Sequence, residues 1–512
     1  MKSWIAALFA LAATAAAQPV VNIKDYGASG RKTDNARPAI QQAIDACAKA
    51  GGGTVYVPPG EYTSGQLHMK SGVRLYVEAG ATIFASMSGK EFDSEKTAAL
   101  IYGEDLHNIA IEGRGTLDGQ AVYEWRPNNF TDFYIMPNQR LMEATGKPLL
   151  RSFPVGMANN AVYPRLVLLL RSEDIRISGL KFLRSRSWTI NPYACKRLTI
   201  DGVYIYSSQK EAVWADGIDP DGCQDVRISN STVETGDDAL VFYSADIWGP
   251  ALPTENVTVT NCRFSSASSA IKFCDGNSNA VRRVAINNVV ITNSNRGLAF
   301  MVFDGGIVED VTISDVLIET RRFDWFWWGD GDPIHFNIKR RSEVDGTKRE
   351  NEPKAGVIRN VSIRNVIAHG TGTSAINGHP DSWLDGIHLD NVHLFVSHDP
   401  NAPYENTRDA ITLKHARNSS MHDVQIRWDK PEAATWQTGL RAENVQNLLL
   451  DSIDIANAPG SHGDTIELKD ADGVTLRHSH AATIHVAGRH SRKINLSDTD
   501  SVMAWDKPPA GR

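Results

Sequence analysis

Three aspartates set the first chemical question for this 512-residue chain. Asp216 opens the run Asp216-Gly217-Ile218-Asp219-Pro220, and Asp237 and Asp238 follow 21 and 22 residues later within Gly236-Asp237-Asp238. In a chain whose pattern repeats about once per coil of a solenoid, that spacing stacks the three carboxylates as neighbours. Clustered carboxylates suit cleavage of a glycosidic bond, in which one acid protonates the leaving oxygen and one base activates water. Neighbouring coils lie one strand spacing apart, roughly 4.8 Å. A gap of about 5–5.5 Å marks a retaining pair and about 6.5–9.5 Å an inverting one, so spacing alone admits both outcomes. Three adjacent carboxylates repel, and at least one should keep its proton near neutral pH. Adjacent strand residues face opposite ways, so placing Asp237 and Asp238 in one cleft calls for a local kink, which Gly236 could supply. Asp219, Asp221 and Gly222 read as turn residues. An oxygen cluster of this kind would also suit a calcium ion.

The elements that position these groups are legible as a degenerate repeat, apolar-x-apolar-polar-(Asn/Gly/Asp)-apolar. It appears as Ile175-Arg176-Ile177-Ser178-Gly179 and Leu198-Thr199-Ile200-Asp201-Gly202, then as Val226-Arg227-Ile228-Ser229-Asn230 and Val257-Thr258-Val259-Thr260-Asn261. It returns at Val284–Asn288, Val311–Asp315 and Val361–Asn365, and more weakly at 387–391, 424–426 and 474–476. Successive copies from Ile177 are 23, 28, 31, 27 and 27 residues apart. The alternation is that of short strands with β-branched residues turned inward. The Asn, Asp or Gly between apolar pairs marks a tight bend that tolerates left-handed backbone. Short strands turning at this period predict an all-β fold, a single-stranded parallel β-helix, rather than an antiparallel sandwich.

Composition fits that reading. Charged residues are 22% and hydrophobic ones 42%, and the net charge is -7, with no basic concentration that would suit nucleic acid or an anionic membrane surface. The five cysteines show no CxxC spacing, so neither a disulfide scaffold nor a metal site is expected; Cys262 and Cys274 are the closest pair. Residues 1–17 read as a signal peptide: Lys2, an apolar run from Trp4 to Thr14, and Ala15-Ala16-Ala17 before Gln18. A secreted or periplasmic protein is expected. Residues 18–490 form the β-helix domain. Asn35 to Lys49 is an amphipathic helix with Ala36, Ile40, Ala43, Ile44 and Cys47 on one face, ended by Gly51-Gly52-Gly53. It would cap the first coil. Two excursions, about 120–164 and 321–355, interrupt the repeat and are expected on the face that carries the site. Residues 491–512 read as a loose polar tail.

Beyond the repeat, the sequence resembles glycoside hydrolase family 28, the polygalacturonases and their relatives, over about residues 20–395. Asp25-Tyr26-Gly27-Ala28, the run from Gly51 to Tyr62, Gly115–Gln120 and Ser187-Trp188-Thr189-Ile190-Asn191-Pro192 occur in the family's order. The two aspartate segments are the specific part of the match. The resemblance implies a right-handed β-helix and inverting hydrolysis without a cofactor or metal. It also implies Asp237 as general acid, with Asp216 and Asp238 holding and activating water. Departures are as informative. Trp214-Ala215 stands where the family has Asn-Thr, and Ser268–Phe273 lacks the family's His-Gly pair. Leu298-Ala299-Phe300-Met301 replaces the Arg-Ile-Lys segment that clamps substrate carboxylates.

The candidate site is therefore Asp216, Asp237 and Asp238 for catalysis, with Lys272, Arg296, Trp214, Trp327, Trp328 and Asp332 for substrate. Lys272, one coil further on, could hold a sugar or balance the aspartates. Trp325, Trp327 and Trp328 precede Gly329-Asp330-Gly331-Asp332 in an insertion, and aromatic rings suit the apolar faces of sugars. Trp188, His335 and His379 read as packing or structural residues. The expectation is a hydrolase of pectic or related plant polysaccharide fragments, exo-acting because long insertions tend to close one end of a cleft. With the clamp missing, a branched or partly neutral fragment should be preferred to plain polygalacturonate. A polysaccharide lyase on the same fold and a non-catalytic glycan-binding β-helix remain the alternatives.

Overall fold

A computed structural model describes residues 18–127, 146, 150–155, 162–273, 275–323, 329–399, 407–461 and 463–506. Almost every strand pairs in parallel with the equivalent strand one coil away. A representative coil runs Gln224–Ser229, Thr232–Thr235 and Leu240–Phe242, and the next runs Thr254–Ser266 and Ser269–Phe273. The core is built as columns. Val226, Val257, Val284, Val311, Val361 and Ile387 are in register on one side. Val233, Phe264, Ile291 and Ile318 line a second, and Leu240, Ile271, Leu298 and Ile334 a third. Parallel pairing in register brings like residues together, so Phe242, Phe273, Phe300 and Phe336 form a ring stack with centroids 5.1, 4.3 and 4.2 Å apart. Offset aromatic pairs add stability beyond their buried area.

The bends follow the repeat's polar position. Asn230, Asn261, Asn288, Asp315, Asn365 and Asn391 all have φ between 52° and 58°. Their side chains bond from coil to coil: Asn261 Nδ2 donates to Asn230 Oδ1 at 3.3 Å, Asn288 to Asn261 at 2.6 Å and Asn391 to Asn365 at 3.1 Å. Asn tolerates this left-handed backbone and supplies both a donor and an acceptor for the ladder.

At the first coil α1 (Arg37–Lys49) buries Ala39, Ile40, Ala43, Ile44 and Cys47 against the strand stack. Asn35 precedes it, accepting from the Arg37 N–H at 2.9 Å. The far end corrects the expectation of a loose tail. Arg492–Ser497 and Val502–Trp505 are strands that pair in parallel on Ile466–Arg477 and Thr483–Ala487. The segment is polar in composition, but Ile494, Leu496 and Met503 still alternate inward onto the core, which is enough for one more coil. The described cysteines Cys47, Cys195, Cys223 and Cys262 are buried free thiols, and Cys274 lies outside the described residues. No described helix is long and apolar enough to cross a membrane.

One sheet carries the site. Its strands are β1 (Ala99–Glu104), β2 (Arg165–Leu170), β3 (Ile190–Tyr193), β4 (Leu240–Phe242), β5 (Ser269–Phe273), β6 (Arg296–Val302) and β7 (Asp332–Ile338). Residues 216–221 bridge β3 and β4 through Ile218 and Asp221. The excursion after β7 contains a short helix, α2 (Arg341–Asp345). The earlier excursion contributes an antiparallel pair, Tyr123–Pro127 with Leu150–Pro154.

Candidate active site

The register of this sheet brings the three aspartates together. Ile190, Ile218 and Leu240 are bridged, so Trp188, Asp216 and Asp238 stand level at the entry to successive strands. Ser269, Arg296 and Asp332 continue the row on β5, β6 and β7. Asp237 and Asp238 occupy the bend between Thr232–Thr235 and β4, which is how neighbouring residues enter one cleft. Glycine is required beside them for lack of space. A Cβ on Gly236 would lie 2.3 Å from the Ser208 carbonyl oxygen, and one on Gly217 would lie 2.3 Å from that of Ala239. The Asp237 carbonyl is pinned by the hydroxyls of Thr235 and Ser266, at 2.7 and 2.6 Å.

One oxygen each of Asp216, Asp237 and Asp238 lies within 4.8 Å of the others. The three environments differ. Asp238 is buried; Lys272 Nζ donates to its Oδ2 at 2.9 Å and the Ser269 N–H donates to its Oδ1 at 2.9 Å. Asp237 stays partly open to the cleft and accepts from the Asp238 N–H at 2.9 Å. Enclosure by protein, then the charges of Asp216 and Asp238, push its carboxyl well above the usual range, with Lys272 opposing. Asp216 is buried and likewise pushed up, by burial first and then by Asp219 and Asp238. A hard cation could lie among three carboxylates, yet here it would sit beside the Lys272 ammonium, which already binds Asp238.

Asp219 departs from the sequence reading. It is not a spare turn residue but a fully buried carboxyl beside Asp216, pushed upward by burial and then by Asp238 and Asp237. Its charge in turn raises the proton affinity of Asp216. The signal was parity: Asp219 follows the core residue Ile218 and therefore faces outward, level with Asn191, Val241 and Lys272. Asp221, two residues on, is also buried and pushed up to about 7 by burial, against one bond from the Ala245 N–H.

The substrate candidates divide. Lys272 is buried in the site, bound to Asp238 and 3.5 Å from Asp275, so it balances the aspartates. Arg296 is buried and pairs with Asp332 at 3.3 Å, and His335 Nδ1 lies 3.3 Å from the same carboxylate. Burial would raise Asp332, but His335 and Arg296 outweigh it and hold it low. These three form one charged cluster beside the triad. His379 pairs with Glu343 of α2 at 3.1 Å. Trp214 is 37% exposed and meets Tyr163 edge-on, with centroids 6.1 Å apart. Trp325, Trp327 and Trp328 lie outside the described residues. Trp188 does more than pack: it stacks on Tyr243 at 5.2 Å and faces the Arg165 guanidinium.

The missing clamp has a physical explanation. The outward residues of β6, Ala299 and Met301, with Phe303 beyond its end, are covered by Val344 of α2 in a separate apolar cluster. The insertion is tied down where Arg341 bonds Asp304 and the Asp275 carbonyl, the latter at 2.8 Å. Leu298 and Phe300 point into the core, and the outward Ala299 and Met301 are apolar because they seat Val344.

Residues 155–322, which include the triad and both its neighbouring coils, match the model of the family "Glycosyl hydrolases family 28". These matches support a polygalacturonase-like glycoside hydrolase. Residues 20–120 of this hydrolase match a second model, "Rhamnogalacturonase A/epimerase, pectate lyase-like". A Vitis vinifera protein named "Probable polygalacturonase" is 25% identical over 405 residues, covering 73% of this chain and 74% of that protein. A Zea mays exopolygalacturonase is 25% identical over 247 residues, 47% of this chain, so the hydrolase spans about half (52%) of that relative's length. Among solved structures, an exopolygalacturonase from Thermotoga maritima shares the fold at a TM-score of 0.62 and 23% identity, covering 80% of this chain and 92% of that one.

Proposed function

We propose that this glycoside hydrolase cleaves galacturonide bonds of pectic chains from an end, by single displacement, with Asp237 as acid. The observation that carries the reading is the asymmetry of the triad. Asp238 is buried and bound by Lys272 and the Ser269 N–H, whereas Asp237 is the carboxyl open to the cleft and pushed upward. Asp237 would give its proton to the glycosidic oxygen as the C1–O bond breaks. A water held between Asp216 and Asp238 would attack C1 from the opposite face and lose its proton to that pair. Closest oxygens within 4.8 Å are nearer the separation of retaining enzymes. Inversion is favoured here because Asp238, bonded by Lys272 and Ser269, makes a poor nucleophile.

Action from an end is supported by walls on both sides of the triad. Val344 covers the outer face of β6, and Trp248 packs against the apolar outer patch of Tyr102, Leu168, Leu170 and Tyr193 on the earlier strands. Relatives from Zea mays and Dickeya chrysanthemi carry exo-acting names, "Exopolygalacturonase" and "Exo-poly-alpha-D-galacturonosidase". Export is proposed from the leader at residues 1–17.

The test is release of reducing ends from defined galacturonide oligomers. Proton NMR of the first-formed product should show the β-anomer from an α-linked substrate; the α-anomer would place this site among retaining enzymes. Asp237→Asn should lower turnover by at least ~10², the usual scale for an acid–base group. A product with an ultraviolet-absorbing double bond would instead identify a lyase.

A further inference from the structure

The two cations that the sequence assigned to the substrate are both bound to internal carboxylates, Lys272 to Asp238 and Arg296 to Asp332. A third cation, which sequence reading passed over, faces the same cleft. Arg165 begins β2; because Val167 pairs with Ile190, Arg165 stands level with Trp188 and hence in the row that continues to Asp216 and Asp238. Its guanidinium lies between two indoles, 5.2 Å from the Trp188 ring centre and 4.7 Å from that of Trp248. Nε donates to Asn191 at 3.2 Å and Nη1 to the Lys96 carbonyl at 3.4 Å. Among the described residues no carboxylate forms an ion pair with it, and Nη2 bonds to none of them. The exposed Lys96 ammonium lies 5.7 Å from the same Trp248 ring.

We infer that Arg165, held between Trp188 and Trp248 with Lys96 at the rim, binds the carboxylate of a uronate sugar next to the bond being cleaved. The inference rests on the galacturonide reading above and names the residue that would make that substrate's charge count. A guanidinium fixed between aromatic faces keeps its orientation before substrate arrives, and its planar fork suits a carboxylate. Trp188 is in turn stacked on Tyr243, which fixes the indole that carries the guanidinium. Burial draws the Arg165 group down to about 10, with Asp219 and Asp216 resisting, so it is charged at neutral pH. The uronate is thus recognised on the early-coil side of the triad, opposite the side where the wall of α2 seats.

The experiment measures binding alone, in the Asp237→Asn protein, by calorimetry with digalacturonic acid and with its fully methyl-esterified counterpart. The acid should bind more tightly than the ester. Arg165→Gln should weaken the acid by about tenfold or more and leave the ester within about twofold, and Arg165→Lys should recover part of the loss, as expected for a charge-assisted contact. Equal loss for both ligands would make Arg165 a structural residue and overturn the inference, as would an unchanged affinity for the acid. If Arg165→Gln does not fold, the unsubstituted background decides: equal affinity for acid and ester overturns the inference. Because no turnover is needed, this result is separate from failure of the hydrolysis reading, which would appear as no product from any galacturonide with the wild-type chain.

Discussion

At the scale of single residues, the site is an exercise in keeping like charges together. Four carboxyls, Asp216, Asp219, Asp237 and Asp238, converge with one ammonium bound directly to them. Lys272 lowers the proton affinity of both Asp216 and Asp237, so its removal has a signed consequence. In Lys272→Met both groups should hold protons to higher pH, since each loses a cation favouring its charged form. The pH–rate profile should move toward alkaline pH on both limbs, and turnover at acidic pH should fall because Asp216 is protonated. An unmoved profile would show that Lys272 does not set these affinities. The convergence of Asp216, Asp237 and Asp238 was legible from residue type and spacing. Asp219 and Arg165 were not, for different reasons. Asp219 looks like a turn residue until the parity of its strand is known. Arg165 lies outside every motif, and only the pairing of Val167 with Ile190 places it beside Trp188. A lone charged residue carries no mark of the neighbour it will meet a coil away.

At the scale of elements, the repeat announced the strands and their bends, because each coil solves the same steric problem with the same residue types. Asn at the left-handed bend and β-branched residues inside are consequences of that repetition. The insertions lack a repeat, so their positions could be read as breaks in the pattern but their contacts could not. The seat of α2 shows what was missing: the apolar outward face of β6 read as a lost clamp, whereas Val344 covers it. Burial of a valine of this kind is worth roughly 1.5–3 kcal/mol. Val344→Asp should lift the insertion from β6 without unfolding the coils, whose Phe273–Phe300–Phe336 stack lies on the other side of the strand. If this wall enforces action from chain ends, the variant should release longer oligomers from a polymeric substrate and lower its viscosity faster per bond cut. Chromatography of early products checks this; a product pattern identical to wild type would remove the wall from the account of exo action.

At the scale of the whole molecule, a parallel solenoid has an intrinsic weakness at its ends, where strands present unpaired backbone groups and an open apolar core. The chain handles its two ends differently. The last coils taper into polar strands, Arg492–Ser497 and Val502–Trp505, whose composition hid them as a tail. The first coil is closed by α1, whose Ile40 and Ile44 are fully buried on the stack. That cap was legible because its amphipathic period differs from everything after it. Replacing one of its anchors should therefore act on association rather than on the site. Ile44→Asp places a carboxylate in the apolar contact between α1 and the first coil, a change expected to cost several kcal/mol locally. Stability in a solenoid is summed over neighbouring coils, so the coils around Asp216 and Asp237 should keep their structure and the freshly purified variant its turnover. With the cap loosened, the exposed first coil should pair with copies of itself, seen as a rise in mass by light scattering that grows with concentration, while the wild type shows none. A variant that stays at the wild-type mass and loses activity in step with a lowered melting temperature would mean that α1 supports the whole stack rather than shielding its edge.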